Sequence, residues 1–189
     1  MTELEIFGAI ASVLYLLLEI KQYKLMWIVG AVSSAVYAVV FGIEGLYASM
    51  ALQCYYFCIS FYGWSEWKKN KKGLSEKKEI FLKKMTWTVL LLSTLAFAVI
   101  WGLLGFLLKN YTNDPSPITD SLVMALSVVA TYWLTKSYIE QWLLWIVANG
   151  IAIGLYFTQE LYATAILYVI YTIGAVYGYI HWSRKGKLL

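Results

Sequence analysis

The residues of this chain best suited to recognising a small molecule lie at the start of its sixth hydrophobic segment. Trp142, Trp145 and Asn149 are spaced i, i+3 and i+7, so on a helix they share one face. An asparagine in hydrocarbon is costly unless its amide is paired, so it usually faces a cavity or another helix. We interpret this face as the wall of a substrate site.

The third and seventh hydrophobic segments carry a second group of polar and aromatic side chains. Gln53, Tyr56 and Ser60 share one helical face, and Tyr168 and Tyr171 lie in the middle of the seventh segment. Two interpretations stay open, because such side chains either line a substrate path or form hydrogen bonds between helices. We count all five as candidate substrate-binding residues.

Together these side chains favour one kind of ligand. Aromatic walls with neutral amides and no central charge suit a flat ring that is neutral or carries one positive charge. Indole and phenol faces attract such cations, and a desolvated contact contributes about 2 kcal/mol. The amides would form hydrogen bonds with hydroxyl or amino groups of the ligand.

The composition places these residues in a membrane. Of 189 residues, 61% are hydrophobic and 14% are charged, whereas a soluble domain carries about 25% charged residues. Seven segments approach the roughly 20 residues that a bilayer requires, and helices are expected because an open sheet edge in lipid leaves its backbone unpaired. The predicted spans are 4–20, 26–43, 46–67, 86–108, 120–137, 142–158 and 161–182.

The residue types of the sequence indicate neither catalysis nor cofactor binding. The single histidine, His181, lies at the end of the last segment, so no serine–histidine–acid set or metal centre can be built around it. Cys54 and Cys58 are more typical of soft packing residues than of a metal or redox pair. The sequence has no G-x-x-x-x-G-K-[ST] phosphate loop. We therefore expect neither an enzyme nor a cofactor.

The basic residues indicate the orientation in the membrane. If odd-numbered helices end on the same side, 14 of the 15 lysines and arginines lie on that side. The positive-inside rule then predicts an outer N-terminus and a cytoplasmic C-terminus. The basic loop from Lys68 to Lys84 is therefore a topology signal, and we expect the lipid bilayer as a partner but no nucleic acid.

The chain also matches itself at an offset of 115 residues without a gap. Matched pairs include Lys21 with Lys136, Trp27 with Trp142, Tyr62-Gly63 with Tyr177-Gly178, and Trp67 with Trp182. We interpret this as a duplicated three-helix unit. One extra crossing between the units lets both enter the membrane in the same direction, as in sugar transporters of the SWEET type.

The predicted fold class is thus an all-α integral membrane protein with seven transmembrane helices in a SWEET-like 3+1+3 arrangement of parallel repeats. The first repeat spans 1–67 and the second spans 120–183. Residues 68–119 hold the basic cytoplasmic loop, a linker helix at about 86–108 and an outer loop, and residues 184–189 form a basic cytoplasmic tail. In this architecture the substrate path lies between the repeats.

The repeats differ where the first group of candidate residues lies. The counterparts of Trp142, Trp145 and Asn149 are Trp27, Gly30 and Ser34. An indole and an amide in one repeat thus replace two very small residues in the other. Broken symmetry at equivalent positions is what a pocket for an asymmetric ligand requires.

These residues resemble a known family, the PnuC-type vitamin transporters. The family pattern W-x-x-W-x-x-x-N matches Trp142, Trp145 and Asn149, and the segment ends at Tyr62-Gly63-Trp64 and at Gly178 to Trp182 are similar to those of the family. The resemblance covers almost the whole chain. It implies that these three residues contact the substrate and that the fold is SWEET-like.

The resemblance also implies a function. Members move nicotinamide riboside by facilitated diffusion, a cytoplasmic kinase traps it by phosphorylation, and they form homotrimers in the bacterial inner membrane. No ionisable residue lies near the centre of a segment, which agrees with transport that is not coupled to protons or sodium. A thiamine-transporting branch stays open as the alternative substrate, and a binding or sensory module without flux as the alternative class.

Overall fold

The structure, a computed structural model, describes residues 3–43, 47–70 and 80–188, and of residues 3–9, 47 and 48 it describes only the backbone. The centre of the predicted basic loop, 71–79, lies outside the described residues, as do 44–46 in the predicted connection after the second segment. The first two residues of the predicted first repeat and residue 189 of the predicted tail also lie outside them.

Seven α-helices follow one another along the described chain. They are α1 (Glu3–Ile20), α2 (Leu25–Ile43), α3 (Tyr47–Asn70), α4 (Trp87–Tyr111), α5 (Pro117–Thr135), α6 (Gln141–Thr158) and α7 (Tyr162–Lys185). The prediction of seven helices is confirmed, with boundaries that differ from the predicted spans by a few residues.

Five of these helices are long and apolar enough to cross a membrane. They are α2, α4, α5, α6 and α7, and α1 contributes a shorter apolar stretch, Ile10–Ile20. Much of their surface is apolar and exposed, for example Leu91 and Leu95 on α4, as expected of helices that face lipid.

Within the described residues, two short strands accompany the helices, and the segment pattern did not predict them. The strands β1 (Ile80–Leu82) and β2 (Gly186–Leu188) pair in parallel, with Phe81 opposite Lys187. All three residues of β1 are buried. Three apolar residues among lysines are too few to show a period, so only the tertiary pairing reveals this strand.

The chain divides into two compact units. The first consists of Met1–Leu82 and Ile180–Leu189, and the second of Lys83–Tyr179. The first unit thus contains α1 to α3, β1, the end of α7 and β2. The second contains α4, α5, α6 and most of α7.

A buried group of side chains, which we call the clasp, joins distant parts of the first unit. It consists of Gln22, Trp67, Phe81 and Trp182, which are fully buried. The Nε2 of Gln22 donates to the carbonyl oxygen of Phe81, and the N–H of Phe81 donates to Oε1 of Gln22, both at 2.9 Å. The Nε1 of Trp182 donates to the carbonyl oxygen of Ile20 at 3.0 Å, and the rings of Trp67 and Phe81 meet edge-on.

Helices α1, α5 and α6 end in the same unusual way. Gln22, Ser137 and Glu160 have φ values of 51°, 59° and 61°, in the left-handed region that favours glycine. Beyond α1, the N–H of Tyr23 donates to the carbonyl oxygen of Leu18 at 2.9 Å, and the equivalent bond follows the other two helices. This is the Schellman motif, which pairs the last helical carbonyls and turns the chain sharply into the next helix.

In the second unit, α4 and α5 form the support for α6. Thr86 caps α4, since its Oγ1 accepts a hydrogen bond from the N–H of Val89. The Nε1 of Trp133 on α5 donates to Oγ of Ser93 on α4 at 2.9 Å. Trp133 belongs to a buried apolar cluster that also includes Tyr138, in the turn that leads into α6.

Candidate substrate-binding site

The candidate residues of α6 lie on its buried face. At about 100° per residue, Trp142, Trp145 and Asn149 fall within one narrow sector of the helix. Trp142 is 1% exposed and Asn149 is 5% exposed, whereas Leu143 and Val147 on the other side are exposed. The shared face that the spacing predicted therefore points into the protein.

Trp142 is fixed in place by a glycine of α7. A Cβ atom built on Gly178 would lie 2.5 Å from Cη2 of Trp142, so the indole occupies the space of the missing side chain. The first unit repeats this contact, because a Cβ on Gly63 would lie 2.5 Å from Cη2 of Trp27. The indole of Trp142 thus packs between α6 and α7, where it can fix the position of the candidate face.

Trp145 has more freedom than Trp142 to meet a ligand. Trp145 is partly exposed, and its buried Nε1 has no hydrogen-bond partner within the described part of the chain. At the counterpart of Trp145 in the first unit, a Cβ on Gly30 would lie 3.0 Å from Cε2 of Tyr15 and 3.3 Å from Oγ of Ser60. In the first unit, Tyr15 and Ser60 therefore fill the space beside Gly30 where a second indole would lie.

The three candidates on α3 belong to the first unit, and two of them already have partners there. The Oγ of Ser60 donates to the carbonyl oxygen of Tyr56 at 2.7 Å, so the hydroxyl is already bonded to its own helix. Tyr56 stacks at a tilt on Tyr55, with ring centroids 5.6 Å apart. Gln53 is partly exposed. Ser60 is the candidate that the structure most clearly places in helix packing.

The candidates on α7 form a row of aromatic rings in the second unit. The ring centroids of Tyr168 and Tyr171 are 5.5 Å apart, and those of Tyr168 and Tyr156 are 5.1 Å apart. Tyr156, on α6, was not among the predicted residues. It lies seven residues after Asn149, which places it on the same helical face, and that spacing could have identified it.

Gln141, the first residue of α6, was also missed. It is 0% exposed, and neither Nε2 nor Oε1 has a hydrogen-bond partner among the residues that the structure describes. It lies four residues before Trp145, so the two share a face. That spacing was visible in the sequence, but a polar residue at the end of a segment is usually solvated.

The site has the chemistry of a binding surface. In residues 3–43, 47–70 and 80–188, no group of three or more histidine, cysteine or acidic side chains is placed to hold a metal ion. Cys54 and Cys58 are exposed free thiols. What α6 and α7 present is instead an indole N–H, primary amides and tyrosine rings, which recognise a ligand through hydrogen bonds and aromatic faces.

Comparisons with known proteins agree with this picture. A family model described as nicotinamide mononucleotide transporter matches residues 2–184. The nicotinamide riboside transporter PnuC of Escherichia coli (strain K12) is 29% identical, over 97% of this chain and 86% of that protein. The nicotinamide riboside transporter PnuC of Neisseria mucosa is 28% identical, over 85% of this chain and 64% of that protein.

A solved structure is similar as well. The crystal structure of the vitamin B3 transporter PnuC has a TM-score of 0.72 and 28% sequence identity, and the match covers 93% of this chain and 78% of that one. The resemblance inferred from the W-x-x-W-x-x-x-N pattern is thus confirmed. This chain is a multi-pass membrane transporter rather than an enzyme, and it belongs to the nicotinamide mononucleotide transporter family, together with the PnuC proteins.

Proposed function

We propose that this protein carries nicotinamide riboside across the membrane by facilitated diffusion. The relatives named above are nicotinamide riboside transporters, and this ligand has a flat, positively charged ring with a carboxamide and hydroxyl groups. The observation that carries the proposal is the buried face of α6. There Asn149 and the Nε1 of Trp145, which has no hydrogen-bond partner among the described residues, offer hydrogen bonds beside indole rings that attract a cation.

The position of the charges supports the passive mechanism. Glu19, Glu66 and Asp120 each lie within about one turn of a helix end. Carriers that couple to protons or sodium usually hold an ionisable group near the centre of the membrane. The substrate would therefore move down its own gradient, and phosphorylation by a cytoplasmic kinase would keep that gradient steep.

We also propose the SWEET-like arrangement of two parallel repeats, 1–67 and 120–183. Two features recur at the same offset of 115 residues. One is the left-handed turn at Gln22 and Ser137. The other is the indole packed on a glycine, in the pairs formed by Trp27 with Gly63 and by Trp142 with Gly178. Such recurrence supports a duplication, because neither a left-handed turn nor an indole packed on a glycine follows from apolar composition alone.

The remaining parts of the proposal rest on the charge pattern and on the family resemblance. The basic residues support a cytoplasmic C-terminus, with the basic loop and the tail on the cytoplasmic side. The location in a bacterial inner membrane follows from the family resemblance. The homotrimer and the link to a kinase follow from the resemblance to PnuC-type transporters.

Two measurements test the function. In proteoliposomes, labelled nicotinamide riboside should exchange for unlabelled riboside in counterflow, and an uncoupler should leave this exchange unchanged. Binding without counterflow would instead support a sensory module, and loss of exchange with the uncoupler would refute the passive mechanism. Calorimetric titration with nicotinamide riboside and with thiamine separates the two substrates, because only the true substrate should bind tightly.

A further inference from the structure

Gln141 has an environment that packing does not explain. Its side chain is 0% exposed at the start of α6, and both amide atoms lack a hydrogen-bond partner in the described part of the protein. A buried primary amide offers two donors on nitrogen and an acceptor on oxygen. Leaving all of them unpaired is costly, so a polar group that pairs with them would stabilise this arrangement.

The chain itself shows that an amide is not needed at this place. The residue 115 positions earlier is Met26, which is likewise 0% exposed at the second position of α2. Methionine and glutamine have similar length and volume, so an apolar side chain fills the equivalent position. The amide of Gln141 therefore has a role other than filling space.

The neighbours of Gln141 on α6 indicate what that role is. Trp145 lies one turn further along the same face, about 6 Å along the helix axis, and its Nε1 is also buried and has no partner among the described residues. Asn149 follows after another turn on that face. The face that we propose as the substrate site thus holds three buried polar atoms, two of Gln141 and one of Trp145, that lack a partner among the described residues.

We propose that Gln141 binds the carboxamide of nicotinamide riboside. Nε2 of Gln141 would donate to the carboxamide oxygen, and Oε1 of Gln141 would accept from the carboxamide N–H. Two primary amides match in this way because each presents a donor and an acceptor side by side in one plane. This assignment rests on the proposed function, and it makes Gln141 a specificity residue for the carboxamide group.

The ligand pair that tests the assignment is nicotinamide riboside and nicotinic acid riboside, which has a carboxylate in place of the carboxamide. A carboxylate has no donor for Oε1 of Gln141 and would repel it. Both ligands are titrated calorimetrically into the purified full-length protein and into two variants. Gln141→Met removes both polar atoms and copies the residue at Met26, and Gln141→Glu retains the shape.

The expected result is a change in the ratio of the two dissociation constants. The wild-type protein should prefer nicotinamide riboside, and Gln141→Met should bind it about 5- to 100-fold more weakly and lose most of that preference. Gln141→Glu should increase the preference, because its carboxylate repels that of the second ligand. A ratio is independent of the fraction of folded protein, so partial unfolding of a variant does not mimic either change.

Two failures have different meanings. If both variants retain the wild-type ratio, Gln141 does not contact the carboxamide and the assignment is wrong. If the wild-type protein binds neither riboside, the proposed substrate itself is wrong, and the assignment falls with it.

Discussion

Replacing Gly178 by alanine tests whether α7 sets the position of Trp142. The new methyl carbon would lie 2.5 Å from Cη2 of Trp142, which is too close for two carbon atoms, so the indole or a helix must shift. Overpacking of this kind costs about 1–3 kcal/mol, and removing a glycine from a helix returns about 1 kcal/mol. The expected net loss in the free energy of unfolding is up to about 2 kcal/mol.

Two matched variants isolate this effect. Gly150→Ala adds a methyl group on α6 with nothing within 4 Å, so it should stabilise the protein by up to about 1 kcal/mol. Gly63→Ala creates the equivalent clash with Trp27 in the first unit. Both clashing variants should therefore be less stable than Gly150→Ala.

The assays are thermal unfolding of the purified protein in detergent and calorimetric titration with nicotinamide riboside. Each kcal/mol should shift Tm by about 2–4 °C for a chain of this length. Gly178→Ala should also weaken riboside binding, because Trp142 belongs to the candidate face. Gly63→Ala should instead leave the dissociation constant within about twofold of the wild-type value. A Tm for Gly178→Ala equal to that of Gly150→Ala would refute the reasoning, since the two glycines would then be equivalent.

Other predictions concern the candidate face and the clasp. Trp145→Ala and Asn149→Ala should each weaken riboside binding by roughly 1–3 kcal/mol in calorimetry. Ser34→Ala, at the counterpart of Asn149, should weaken it less. Unchanged affinity in both α6 variants would show that this face of α6 serves helix packing and not ligand binding. Gln22→Met should lower the free energy of unfolding by about 1–3 kcal/mol, because the N–H and carbonyl groups of Phe81 lose their partners. A Tm within one degree of wild type would show that water replaces both bonds.

The helices could be predicted from the sequence because their signal is local. A membrane-spanning helix needs a long apolar run, and α2, predicted at 26–43 and found at Leu25–Ile43, shows how closely such a run marks its ends. The strand β1 could not be predicted in the same way. Its partner β2 lies about a hundred residues further along the chain, and nothing in either tripeptide indicates the other.

The candidate site was predictable in part. The spacing of Trp142 and Asn149 placed them on one face, and both are buried there. The repeat comparison also singled out Trp142 and Gly178, but it could not show that the two residues are in contact. Gln141 was overlooked because burial at a helix end is decided by neighbouring elements, which the sequence does not reveal.

The clasp has a consequence for how the protein is made. The bond from Trp182 to Ile20 joins residues 162 positions apart, and β2 completes a pair with a strand that precedes α4. Residues from Ile180 onward are synthesised after the whole second unit, Lys83–Tyr179. During synthesis, the first unit is therefore already in the membrane while Ile20 and Phe81 still lack their partners Trp182 and Lys187. Contacts between such distant parts of a chain form late, so closure of the clasp is expected to be among the last steps of folding. An open clasp would therefore distinguish an incomplete chain from a finished transporter.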